Sequence, residues 1–311
     1  MPASNLIDEF LTAHMPKQLS RPQIITEPRA MTAWAEQQRS ASRRIGVVPT
    51  MGALHAGHVS LVERSCQECD ATVLTVFVNP TQFGPHEDYQ KYPRTMEADL
   101  AAIAHLPVEV AFCPTTSAMY PPEHATRVEV AGPALPWEGA HRPGHFSGVA
   151  TIVLKLFEIV RPQVAYFGQK DYQQILVVRR MVEDLNVPVE LVICPTLREA
   201  DGLAMSSRNA YLSAASRQKA LRLSQSLKLA QERFRAGERD AAKLRAEMLA
   251  LFQDVRGVQV DYVALVDPTS LAEVAELAAT TVALLAVRVD GTRLIDNARI
   301  GVVNGEPPLL L

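Results

Sequence analysis

The sequence predicts a doubly wound, parallel-sheet (Rossmann-like) α/β fold with a smaller C-terminal α+β domain, and three features carry that prediction. Five short apolar runs alternate with helix-period segments between residues 45 and 193, the alternation that builds a parallel sheet with helices on both faces. Polar strings follow the runs directly, where ligands of such sheets bind. After a polar, glycine-containing break at 197–209 the pattern changes to two long helical segments and then two strands.

Taken in order, the runs are 45–48, 73–78, 108–112, 164–167 and 189–193. Each is short and valine-rich, as strands covered on both faces are. Pro49 is expected to end the first. Apolar side chains at helical spacing mark 58–69, where Val59, Val62, Cys66 and Cys69 recur, and also 95–105, 148–160 and 171–185. Beyond the break, 213–237 and 240–253 read as helices, and 258–266 and 281–289 as strands.

At 311 residues the chain is long enough for two domains, each with its own core. The division expected is an N-terminal extension at 1–21, a ligand-binding Rossmann-like domain at 22–197 and a C-terminal α+β lid domain at 198–311. A hydrophobic content of 48% fits a globular protein, and a net charge of −3 supplies no basic field, so nucleic acid is a poor partner. No apolar run reaches the roughly 18 residues that a membrane crossing takes. The N-terminal stretch, with Asp8 and Glu9 near its modestly apolar centre, lacks the basic start and continuous apolar core of a leader, so it reads as a frayed or helical extension of a cytoplasmic protein.

Four cysteines form no disulfide framework. Cys66 and Cys69 have the spacing of a redox or zinc pair, but no second close pair accompanies them, and both fall on the apolar stripe of a helix. Core packing is the expected role.

The most informative string is Val47-Val48-Pro49-Thr50-Met51-Gly52-Ala53-Leu54-His55-Ala56-Gly57-His58. It ends a strand and opens a helix, where free backbone N–H groups and a dipole equivalent to roughly half a positive charge favour phosphate oxygens. Gly52 permits a turn that a side chain would obstruct. His55 and His58 share a face of a helical turn, and Gly57 between them allows close approach to the backbone. The layout suits a nucleoside triphosphate.

Three further strings follow strands or the break. Gln82, in Asn79-Pro80-Thr81-Gln82-Phe83, offers a donor and an acceptor to a substrate with hydroxyl and carboxylate groups. Gly168-Gln169-Lys170-Asp171 starts another helix, where Lys170 can neutralise phosphate and Asp171 can accept from ribose hydroxyls or cap the helix. Met205-Ser206-Ser207-Arg208 places two hydroxyls and a guanidinium where they can follow charge onto a leaving pyrophosphate. Arg142 and His145, in Glu138-Gly139-Ala140-His141-Arg142-Pro143-Gly144-His145-Phe146, either add positive charge near the triphosphate or stabilise the turn.

His55-x-Gly57-His58 resembles the signature of the nucleotidyltransferase superfamily, and the wider string from Pro49 to His58 is similar to that of the pantothenate synthetase (pantoate–β-alanine ligase) family. The resemblance spans roughly 22–299, with the ends of the chain outside it. It implies ATP-dependent condensation of pantoate with β-alanine through a pantoyl adenylate, with release of AMP and pyrophosphate. It further implies ATP binding by Met51, Gly52, Ala53, Leu54, His55, Ala56, Gly57, His58, Gly168, Gln169, Lys170, Asp171, Leu197, Met205, Ser206, Ser207 and Arg208. Of these, His55, His58, Lys170, Ser206, Ser207 and Arg208 are the expected catalytic groups, and Gln82 and Gln174 the expected pantoate ligands.

Gln169 stands where the family frequently has glutamate, while Lys170 and Asp171 beside it follow the pattern. Residues 205–208 occupy the place of the related enzymes' Met-Ser-Lys-Ser loop. The resemblance also implies Mg²⁺ and a homodimer. His58 serves either as proton donor or as a plain hydrogen-bond donor to phosphate, its state open at an unperturbed pKa near 6.5. No carboxylate cluster for the metal is evident, with Asp99 and Glu97 the only candidates. Two other readings share parts of the pattern. A nucleotidyltransferase acting on a phosphate-bearing metabolite calls for basic side chains in place of Gln82 and Gln174, and a silent nucleotide-binding module tolerates loss of residues 206–208.

Overall fold

The computed structural model describes residues 21–301. The expected extension at 1–21 therefore lies outside the described residues except for its last position. The chain runs β1 (Gln23–Ile25), α1 (Pro28–Ser40), β2 (Ile45–Thr50), α2 (Ala56–Glu68), β3 (Ala71–Val76), α3 (Met96–Ala102), β4 (Val110–Phe112), α4 (Thr116–Met119), α5 (Glu138–His141) and α6 (His145–Val160). It continues through β5 (Val164–Gly168), α7 (Tyr172–Asp184), β6 (Glu190–Cys194), α8 (Ala214–Arg235), α9 (Ala241–Ala250), β7 (Val258–Val266), β8 (Val282–Val289) and β9 (Thr292–Arg299).

Strands β1 to β6 form one parallel sheet in the order β1-β4-β3-β2-β5-β6. The chain winds outward from β2 in one direction through β3 and β4, then crosses back to β5 and β6. The order thus reverses between β2 and β5, and a crevice opens there beyond the carboxyl ends of the strands. Ile45, Val47, Val73, Val110 and Phe167 of β2 to β5 meet the apolar sides of α1, α6 and α7 on one face, while Val48, Leu74 and Tyr166 meet α2 on the other. Helix α6 is buried over most of its surface.

Three departures from the expected elements have physical reasons. Strand β2 passes through Pro49 to Thr50. The Phe77 N–H donates to the Thr50 carbonyl, and the Ile45 carbonyl accepts from Gln163, so alternate residues address β3 and β5. Pro49 falls on the β5 side, where pairing stops at Val47, and its missing N–H costs no ladder bond. Strand β1 was not anticipated because its three residues pair only with β4. Strand β9 was not anticipated because its string, Thr-Arg-Leu-Ile-Asp-Asn-Ala-Arg, carries too many polar groups to read as apolar.

β7, β8 and β9 make an antiparallel sheet in sequence order. Helices α8 and α9 cover one face with Leu223, Leu227, Leu244 and Met248. The other face, with Ala264, Leu284 and Ala286, packs on Tyr172 and Leu176 of α7, so the smaller sheet is seated against the larger unit beside the crevice.

Candidate functional site

The turn between β2 and α2 is held from beneath by a carboxylate. Asp99, buried on α3, accepts the N–H groups of Ala53 at 3.1 Å and Leu54 at 2.8 Å, and the Thr95 hydroxyl at 3.2 Å. Gly52 crosses the same place at φ +79°, where a Cβ would stand 2.9 Å from Asp99 Oδ2. Asp99 is thereby committed to the backbone rather than presented as a metal ligand, and Glu97 is exposed on α3. Neither belongs to a group of three or more metal-ligating side chains among the described residues.

His55 is the N-cap of α2, and its ring stacks on that of His58 with centroids 4.0 Å apart. A Cβ on Gly57 would lie 2.9 Å from two atoms of the His55 ring, so the space beside this glycine is filled by the histidine itself. The His55 N–H donates to His58 Nδ1 at 3.4 Å. An accepting Nδ1 carries no hydrogen, which leaves the neutral His58 ring with a donor at Nε2. Burial first, then the neighbouring His55 and the Lys170 ammonium, lower the His58 pKa to about 3; burial and then Lys170 lower that of His55 to about 4. Both shifts favour the neutral rings at pH 7.

Lys170 comes from the opposite side of the switch point, in the turn Gln169–Asp171 that joins β5 to α7. Asn297 of β9 donates its amide to the carbonyls of Gln169 at 3.1 Å and Lys170 at 2.8 Å. The segment 205–208 approaches from the third direction. Ser207 Oγ donates to the Ala53 carbonyl at 3.0 Å, Met205 lies against Gly57, and the Arg208 guanidinium grips Asp88 and sits 5.8 Å from the centre of the Tyr92 ring. Leu197 is exposed, and its carbonyl accepts the Met205 N–H at 3.0 Å. These contacts bring the β2, β5 and 205–208 segments to one crevice.

A cleft of about 1250 Å³ extends from this point toward the C-terminal sheet, with Lys170, Asp171, Gln174, Ser206, Arg208 and Asn297 on its walls. The two signature histidines and Gln82 stand outside that lining. Gln82 accepts from Asn79 Nδ2 at 3.0 Å and directs its own amide to Met51 Sδ at 3.2 Å, beside the histidine turn. Among the described residues five side-chain atoms are buried without a hydrogen-bond partner, and four of them, on His55, Thr196, Asn209 and Asn297, border these segments, the fifth being on Ser226 of α8. Unsatisfied buried polar atoms are uncommon, and their concentration here suits a polar ligand.

Arg142 and His145 brace a turn and also line the cleft, so both of their readings stand. The guanidinium of Arg142 bonds both oxygens of Glu87, at 2.6 and 2.7 Å, as well as Glu138 and the Gln82 carbonyl. His145 Nδ1 lies 2.8 Å from the same carbonyl, and burial together with Arg142 lowers its pKa to about 4. They fix the turn that carries Gln82. Glu138 in turn meets Arg293 of β9 at 2.5 and 2.8 Å, tying the two sheets' units together. Neither Arg293 nor the pair Asp88 and Asn297 stood out in the sequence, since isolated polar residues gain meaning only from the partners the fold supplies. Cys66 lies on α2 and Cys69 at its end, with Cys69 buried against the Tyr166 hydroxyl at 3.3 Å, in keeping with packing.

A parallel sheet whose order reverses between a His-x-Gly-His turn and a Lys-Asp turn defines a doubly wound α/β protein with its crevice at the switch point. The chain belongs to the pantoate–β-alanine ligase family, whose family model matches residues 23–299. It is 53% identical to a pantothenate synthetase of Roseiflexus castenholzii over 253 residues, 81% of this chain and 91% of the relative. Its fold is similar to the crystal structure of the Thermus thermophilus enzyme, with a TM-score of 0.84 and 47% identity over 89% of this chain and 99% of that one. A pantoate–β-alanine ligase of Francisella tularensis, complexed with β-γ ATP and β-alanine, superposes with a TM-score of 0.75 at 32% identity, covering 91% and 99% of the two chains.

Proposed function

We propose that this chain joins pantoate to β-alanine at the expense of ATP. A pantoate carboxylate oxygen attacks the α-phosphorus, and pyrophosphate departs. The β-alanine amine then attacks the acyl carbon of pantoyl adenylate, loses a proton, and expels AMP as the amide forms. The observation that carries this reading is the convergence of His55 and His58, Lys170 and the 206–208 segment at the switch point of a ligase-family fold. No covalent enzyme nucleophile is needed, so the chemistry reduces to positioning and charge stabilisation.

In this reading the stretch from Met51 to His58 and residues Gly168, Gln169, Lys170, Asp171, Leu197 and Met205 cradle ATP. Lys170, Ser206, Ser207 and Arg208 follow the phosphates, and the neutral histidines donate to them from nitrogen. Gln82 and Gln174 hold the hydroxy acid. Among the described residues no group of three or more His, Cys, Asp or Glu side chains is arranged to hold a metal ion. Mg²⁺ then enters as part of the nucleotide substrate, held by phosphate oxygens and water, and neutralises their charge. A homodimer in the cytoplasm completes the reading, the dimer resting on family kinship and the compartment on the thiols and the absence of a long apolar helix among the described residues.

Pyrophosphate release tests it. Release is expected with pantoate and ATP and is expected to be sustained when β-alanine is added. A requirement for a phosphate-bearing acceptor in place of pantoate, or no release with any acceptor, would refute it.

A further inference from the structure

Two adjacent residues of β9 reach the Lys170 turn and the hairpin that leads into 206–208. Asp296 and Asn297 are 3% and 4% exposed, and successive side chains of a strand leave on opposite faces, so one strand can serve two neighbours. Asn297 donates to the carbonyls of Gln169 and Lys170. Asp296 receives Arg198 in a two-pronged pair, at 2.7 and 3.0 Å.

Arg198 opens a tight hairpin. It bridges to Ala204, the Glu199 N–H donates to Leu203, and the Met205 N–H donates to Leu197. The outgoing arm of that hairpin is Met205, and Ser206, Ser207 and Arg208 follow without a break. A third bond from Arg198, to the Gly202 carbonyl at 3.2 Å, stiffens the hairpin's tip. The Asn297 backbone is joined to the same arrangement, because the Asp296 carboxylate also accepts the Asn297 N–H at 2.8 Å.

We propose that Asp296 and Asn297 are positioning residues that set the separation between Lys170 and the 206–208 segment, and thereby the fit of the triphosphate between them. This rests on the nucleotide-activating reading of the crevice. Neither side chain is assigned a bond to the substrate. A lysine ammonium on one loop and a guanidinium on another can act on one triphosphate only if both loops are held in register, and misplacement by about 1 Å costs on the order of 100-fold in rate. The smaller sheet therefore contributes to the first chemical step through its last strand, although it holds none of the expected catalytic groups.

The test compares Asp296→Asn and Asn297→Ser with the wild-type full chain in two separate half-reactions. Pyrophosphate release with pantoate is expected to lose about 10- to 100-fold in kcat/KM for ATP in either variant. Aminolysis of supplied pantoyl adenylate by β-alanine is expected to stay close to the wild-type rate. Arg198→Gln combined with Asp296→Asn is expected to cost no more than the worse single change, since both remove one contact. Equal losses in the two half-reactions, or additive losses in the double variant, would overturn the proposal.

Nucleotide affinity gives a readout that does not depend on which acid is activated. Calorimetric binding of ATP is expected to weaken about tenfold in both variants, the equivalent of about 1.4 kcal/mol. Unchanged affinity in a variant with a native circular dichroism spectrum would contradict the positioning role even if the acyl substrate proved to be different. Should Asp296→Asn fail to fold, Asn297→Ser, which leaves the Arg198 pair intact, decides the matter alone.

Discussion

Arg208 and Asp88 form a forked ion pair, with two guanidinium nitrogens each 2.9 Å from a carboxylate oxygen. Both side chains are partly exposed, so the pair is worth about 1 kcal/mol rather than several. On the proposed reading, an arriving triphosphate competes with Asp88 for the same fork. We expect Asp88→Asn to lower the ATP concentration for half-maximal pyrophosphate release about fivefold, with a small loss of thermal stability. A higher requirement for ATP would show instead that Asp88 orients Arg208 for the substrate.

Lys170→Ala and His58→Ala are expected to suppress adenylate formation about 10²- to 10³-fold in kcat, the cost of removing one donor to developing charge. Neither side chain belongs to a core cluster, so both variants are expected to keep the native circular dichroism spectrum. Single-turnover pyrophosphate release measures the effect. Near-normal turnover in one variant would remove that residue from the chemistry.

The histidines make stability depend on pH in a fixed direction. His55, His58 and His145 are lowered in the folded protein to about 4, 3 and 4. The unfolded chain, with ordinary values near 6.5, binds more protons below that pH, so the stabilisation is complete above about 6.5 and is lost as pH falls toward 3 to 4. Urea unfolding is expected to give a lower midpoint at pH 5 than at pH 7.5, with a shallower dependence in His58→Gln. A midpoint that rises on acidification would reverse the sign and contradict the burial of neutral rings.

Gly57→Ala tests the stacking of the two rings. The new methyl would stand 2.9 Å from the His55 ring, which must swing away from His58. An exposed helix gains a few tenths of a kcal/mol to about 1 kcal/mol from such a change, so thermal stability is expected to hold while adenylate formation falls about tenfold or more. Unaltered activity would show that the stacked geometry is dispensable.

How much could be read in advance follows from which signals are local. Strands β2 to β6 were legible because each is a dense apolar run, and the turns after β2, β3 and β5 were legible because proline and glycine punctuate them. Helix α1 was not, since Met31 and Ala35 are its only buried apolar positions. The pairings of Arg208 with Asp88, Asp296 with Arg198 and Asn297 with Lys170 span between about 100 and 130 residues of sequence. Their partners are set by tertiary packing, and a polar residue in a polar string carries no mark of it. Arg142 shows the limit best: the string named it, and only the fold revealed the four acceptors around it.

Heavy-oxygen labelling of the pantoate carboxylate tests acyl activation most directly. Attack of that carboxylate on the α-phosphorus predicts one labelled oxygen in the AMP released after β-alanine is added, with the other retained in the amide product. Label absent from AMP, or found in inorganic phosphate alongside ADP, would contradict the adenylate route.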